Sequence, residues 1–160
     1  MRRRRRGQAL VEFALVLPVL LVILFGIVDF GRAIYAFNAV SNAAREGGRT
    51  AIVNQYPAAV RDKAAQQATA VGLPTGQPAN CAATGGPTSD SAGICFVLRS
   101  SDLSGVCSSP PDIGCVSIVT VKTTFTALTP IISRIVGNVP IVAQSQQAIE
   151  SVCNTAGCPR

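Results

Sequence analysis

Residues 1–32, MRRRRRGQALVEFALVLPVLLVILFGIVDFGR, decide how the rest of the chain is read. Five arginines, Arg2 to Arg6, stop at Gly7, and an apolar run begins at once. From Ala9 to Val28, twenty residues, the one ionisable side chain is Glu12. At 1.5 Å rise per residue that run makes about 30 Å of helix, the thickness of one hydrocarbon core. The arginine block flanks the run on its N-terminal side, which predicts a cytoplasmic N-terminus and export of everything that follows. Pro18 removes a backbone donor in mid-span and predicts a kink or local unwinding, tolerable in a membrane helix. Glu12 is the anomaly. An ionised side chain inside such a segment costs on the order of 2.5–3.5 kcal/mol, so its presence points to function.

The charge of the chain follows the same division. Its net charge of +6 comes from 14 basic and 8 acidic residues, and Arg2 to Arg6 supply five of the basic ones. From Gln8 onward nine Lys or Arg face eight Asp or Glu, so no basic surface remains for nucleic acid. The chain contains no histidine, which removes Ser-His and Cys-His chemistry and the commonest metal ligand. No base–nucleophile pair stands out, and neither an enzymatic activity nor a cofactor is expected. Asp90, Asp102 and Asp112 fall among Ser, Pro and Gly, where solvated turn residues are the ordinary reading.

All six cysteines, Cys81, Cys95, Cys107, Cys115, Cys153 and Cys158, lie in the C-terminal half. Their spacings contain no C-x-x-C redox pair and no paired short spacings of a zinc site. An even number of cysteines in a small exported domain predicts a disulfide framework. Six cysteines allow fifteen pairings. The short loops closed by Cys107–Cys115 and Cys153–Cys158 make these the expected local bridges, each contributing on the order of 2–3 kcal/mol in the chain-entropy model.

The helical pattern continues beyond the apolar run. Phe30, Ile34, Phe37, Ser41, Ala44, Gly48 and Ala51 recur at spacings of three and four, a stripe that passes from bulky to small side chains. Its small end suits the close approach of another backbone, either the domain's own core or a neighbouring subunit. Pro57 can open a second helix over Ala58 to Val71, closed by Gly72. Residues 73–93 read as loop. Ile94 to Arg99 and the β-branched run Cys115 to Leu128 read as strands. A short helical turn in TPIISRIVGNVP precedes a last strand near Ile141 to Ile149. The fold class expected is α+β, a long membrane-spanning helix continuing into a soluble helix and packed on a small antiparallel sheet.

An ordinary secretory signal is cut at small residues after its apolar region. Here the nearest such pattern, Ala33 to Ala39, is interrupted by Tyr35 and Phe37. A simple signal anchor explains the arginines and the apolar run but not Gly7 and Glu12. In GQALVEFALVLPVLL (7–21) and GIVDFGRAIYAFNAVSNAAREGGR (26–49) the chain resembles the TadE-like family, pseudopilins of the tight-adherence (Flp-type) pilus system.

The resemblance implies a pilin-like structural protein of the cytoplasmic membrane. A prepilin peptidase would cut between Gly7 and Gln8, leaving Glu12 and Phe13 at the fifth and sixth mature positions. Phe13 stands where the major pilins of the system usually carry tyrosine, as in the minor, TadE-like members. The partners implied are the membrane, the peptidase, other pilins and the assembly machinery. On this reading residues 1–7 are a leader and 8–30 the assembly helix. Residues 31–72 are its helical continuation with a second helix, and 73–160 an exported, disulfide-stapled, β-rich region. The alternative is a signal-anchored or secreted disulfide-stapled binding domain with no pilus role.

Overall fold

The computed structural model describes residues 3–73, 81, 92–107, 111–155, 157 and 158. Helix α1 runs from Arg3 to Val53 and α2 from Pro57 to Ala68, followed by a 3-10 turn at Thr69–Val71. Strand β1 (Gly93–Arg99), strand β2 (Val116–Thr126), helix α3 (Pro130–Val136) and strand β3 (Asn138–Ala148) complete the order. The three strands form one antiparallel sheet in the order β1-β2-β3, so the fold is α+β. Most of the expected 73–93 loop lies outside the described residues.

The contacts divide into two units. One joins the chain up to Ile34 with Thr126–Asn138, and the other joins Tyr35–Phe125 with the residues from Val139 onward.

In the second unit the sheet is built around β2. Its partner β1 is antiparallel, in a register that sets Ile94 opposite Val121, Phe96 opposite Val119 and Val97 opposite Ile118. Every residue from Ser117 to Val121 is buried, as expected of a central strand covered on both faces. The core adds Ile94 and Ile141 from the outer strands, and Val60, Ala64, Ala65 and Ala68 from α2. From α1 it takes Ala36, Val40, Ala43, Ala44 and Ala51.

That last set corrects the expected stripe. Its small members Ala44, Gly48 and Ala51 are buried, but Phe30, Ile34 and Phe37 are exposed. The buried seam enters one position earlier, through Ala36, Val40, Ala43 and Gly47, in a spacing of four, three and four. Small residues win the seam because α1 lies very close to its neighbours. A Cβ on Gly47 would stand 2.9 Å from Val119 Cγ1 and 3.1 Å from the Ala64 Cβ. One on Gly48 would collide with the Ser145 hydroxyl and lie 3.1 Å from the Ser145 Cβ. A phenylalanine cannot be seated on such a face.

Of the kink or local unwinding expected at Pro18, the unwinding is absent, since α1 is continuous through it. A proline costs a helix one ladder bond at that point, and the flanking turns carry the helical conformation through it.

The boundary between α1 and α2 is set by two adjacent amide side chains. Asn54 accepts a hydrogen bond from the Tyr56 backbone at 2.9 Å, and Pro57 occupies the first turn of α2. The 3-10 turn after α2 ends at Gly72, whose φ of 70° is the left-handed conformation that favours glycine. Gln55 is fully buried. Its Nε2 donates to the carbonyls of Ala51 (2.8 Å) and Ser151 (2.9 Å), and its Oε1 accepts from the Cys153 backbone at 2.7 Å. The Gln55 backbone donates to the Cys153 carbonyl at 2.8 Å. One side chain thus closes the end of α1 and fastens the C-terminal segment to it across 98 residues of sequence.

Gln55→Leu keeps the volume and strands the Cys153 amide and the Ser151 carbonyl without their partners. It should lower stability by about 2–4 kcal/mol, since each buried unsatisfied group costs about 1–3 kcal/mol. In a domain of this size that lowers Tm by roughly 10 °C or more, readable by circular dichroism of the detergent-solubilised chain.

Three disulfides staple the second unit: Cys81–Cys95, Cys107–Cys115 and Cys153–Cys158. Cys81–Cys95 ties the segment between α2 and β1 to a buried position on β1, the pairing that spacing alone left open. Cys107–Cys115 closes the loop between β1 and β2, and Cys153–Cys158 closes a loop beyond β3.

Candidate functional site

The N-terminal half of α1 exposes nearly every side chain from Gly7 to Phe30. Leu10, Val11, Phe13, Leu15, Val16 and Val19 are all more than half exposed, and none of the most apolar stretch of the helix is buried within the chain. A helix that is apolar on every side and covered by nothing of its own requires an apolar surrounding. By length and composition it is able to cross a membrane.

Gly7, Gln8, Glu12 and Phe13 all lie on this exposed surface, within the helix. Gly7 has open space around its α-carbon. Glu12 and Phe13 are neighbours in sequence and therefore point about 100° apart around the helix, Phe13 into the apolar surround. Among the described residues Glu12 has no ion-pair partner. The structure leaves its carboxylate available and does not by itself supply a group to meet it.

At the other end of the apolar run stands a second acidic residue, which composition and spacing did not single out. Asp29 is buried to 4% exposure. Its carboxylate accepts hydrogen bonds from the Leu128 amide (3.0 Å), the Thr129 amide (3.1 Å) and the Thr129 hydroxyl (2.7 Å). Arg32, one turn on, lies 3.4 Å from it. The carboxylate therefore takes up two backbone amides and a hydroxyl just before α3, whose own N-cap residue makes no side-chain cap bond. Ile132 of α3 lies against α1 at Gly26, its Cδ1 3.8 Å from where a Cβ on that glycine would stand. The available signal was an acid directly after an apolar run with an arginine three residues later, a pattern that also describes an ordinary solvated helix end.

Elsewhere, a cleft of about 420 Å³ in the second unit is lined by residues that include Thr50, Asn54, Tyr56, Asp62 and Lys63. The hydroxyl of Thr50 is bonded to the Glu46 carbonyl at 3.1 Å, and the Asn54 side chain is taken by the turn into α2. Among the described residues no group of acidic, cysteine or histidine side chains could hold a metal ion. Asp102 is a turn residue, as its setting suggested. The hydroxyls of Ser100 and Ser104 and the Ser104 amide bond its carboxylate and hold it down to about 2. Asp112 is exposed, and Asp90 lies outside the described residues.

No curated protein and no solved structure gives a significant match to this chain. Residues 7–49 match a family model described as TadE-like protein. The match covers a little over a quarter of the chain. It begins at Gly7, takes in Glu12, the exposed apolar run and Asp29, and ends at the small-residue seam of Gly47 and Gly48. From Gly7 to Arg49, the part of α1 that carries Glu12, the apolar run and Asp29, the chain is similar to TadE-like proteins.

Proposed function

We propose that the chain is a minor pilin or pseudopilin of a Tad (Flp-type) pilus, a structural subunit with no active site. The observation that carries this reading is the family match on residues 7–49, laid along a helix whose apolar surface nothing in the chain covers. Arg2 to Arg6 stay in the cytoplasm by the short-loop excess of positive charge, and the sheet-bearing unit is exported. Three disulfides fit an oxidising compartment on that side. A prepilin peptidase removes residues 1–7, and the helix from Gln8 stays in the bilayer until the subunit joins its partner pilins.

The mass of the mature N-terminus tests this. In cells that express the whole pilus system the chain should begin at Gln8. An intact N-terminus, or one cut beyond Phe30, sinks the pilin reading and leaves a signal-anchored or secreted binding domain.

A further inference from the structure

We propose that the segment from Leu128 to Val136 is a second membrane contact, a short helix lying in the lipid interface at the end of the spanning segment opposite the arginines. The proposal rests on the reading of α1 as a membrane helix.

Three observations carry it. The first is position. Ile132 packs at Gly26 and Asp29 receives the start of α3, so α3 sits beside the last turn of the apolar run, where the hydrocarbon gives way to headgroups. This makes its outer surface continuous with the lipid-facing surface of α1.

The second is the chemistry of that surface. Leu128 is 74% exposed, Ile135 79% and Val136 56%. Ile135 and Val136 follow Ile132 by three and four residues, so one apolar flank runs from the contact with α1 outward. Arg134 stands exposed in the last turn, where a guanidinium can reach the phosphate level while the apolar side chains stay below it. An interfacial helix has this arrangement of an apolar flank with a basic residue beside it.

The third is the backbone. Irregular chain beside lipid is tolerated only when its polar groups are satisfied within the protein. Asp29 meets the Leu128 and Thr129 amides just before α3 and the Thr129 hydroxyl, the Ser133 amide donates to the Thr129 carbonyl, and the Gly137 amide donates to the Ser133 carbonyl. A solvated turn would have no need of a buried carboxylate for this purpose. Seven residues of helix are a weak anchor alone, but here the segment is held beside a spanning helix and pays little entropy to stay.

The chain contains no tryptophan, so a single introduced one reports without background. Full-length Leu20→Trp, Ile135→Trp and Val136→Trp would each be placed in phosphatidylethanolamine–phosphatidylglycerol vesicles containing lipids brominated near the headgroup or at the chain end. Leu20→Trp should be quenched best by chain-end bromine, as a residue of the span. Ile135→Trp or Val136→Trp should emit at shorter wavelength than tryptophan in water and be quenched best by headgroup-proximal bromine. If Leu20→Trp is quenched while both α3 tryptophans emit as in water, the interfacial contact does not exist, although the membrane helix does. If they are blue-shifted but unquenched, a protein surface covers α3 and the proposal is wrong. If Leu20→Trp itself is unquenched, the membrane reading fails and takes this proposal with it.

Discussion

Gly47→Val should prevent the sheet-bearing unit from closing on α1. The first atom added already stands 2.9 Å from Val119 Cγ1 and 3.1 Å from the Ala64 Cβ, distances that packed atoms do not hold. Valine adds two further methyls in the same narrow space, between a central strand and a second helix that are both fully buried there. Overpacking a dense core costs about 1–3 kcal/mol when side chains can rearrange, and occasionally more. Ala64 has no rotamer to change, so the cost belongs at or beyond the upper end. A small domain has only about 5–15 kcal/mol in total. The expected result is a fall in Tm of well over 10 °C by circular dichroism. Gly31→Ala is the control, because nothing lies within 4 Å of its would-be Cβ. That change should leave the fold intact and add up to about 1 kcal/mol of helix propensity. If Gly47→Val melts like the parent chain, the close approach of α1 to β2 is not as described.

Glu12→Leu should abolish entry into filaments while leaving the protein cut after Gly7 and held in the membrane. On the pilin reading, cleavage exposes a cationic α-amino group at Gln8, and a staggered neighbour brings that amine to the Glu12 carboxylate. Glu12 stands about 6 Å along the axis from Gln8, by the rise of 1.5 Å per residue. A carboxylate in the first turns of a helix gains about 0.3–1 kcal/mol from the dipole, which softens its cost in lipid but does not explain why it is there. Leucine at this position would cost nothing. Pairing supplies the reason, because an unpaired carboxylate in a low-dielectric bundle is penalised and a correctly registered one is not. Cleavage is read by the mass of the N-terminus and assembly by crosslinking to the major pilin. A Glu12→Leu chain that is cut and assembles like the parent would show that Glu12 has no pairing role.

The two predictions draw on opposite ends of α1, and the sequence was unequally informative about them. The apolar run is legible because it needs one property repeated over twenty residues, and lipid selects for that property alone. The strands were legible too, since β-branched runs such as VSIVTVKTTFT have few other uses. The second half of α1 was harder. There the apolar periodicity supports two seams one residue apart, one through Phe30, Ile34 and Phe37 and the other through Ala36, Val40 and Ala43. Size decides between them, and size matters only once the distance to β2 and β3 is known. Gln55 and Asp29 were invisible for a related reason. Each is an ordinary polar residue at a helix end, and its partners, Cys153 and Thr129, lie about a hundred positions away. No local pattern encodes such a meeting.

The fastening of Gln55 to Cys153 also bears on when the unit can fold. A ribosome delivers α1, α2, β1 and β2 before β3 and the Cys153–Cys158 loop. Until those last residues arrive, the end of α1 lacks its closure, β2 has one open edge, and the face bearing Gly48 has no Ser145 to meet it. The unit therefore cannot close until β3 and the Cys153–Cys158 loop are made, however early α2, β1 and β2 take shape.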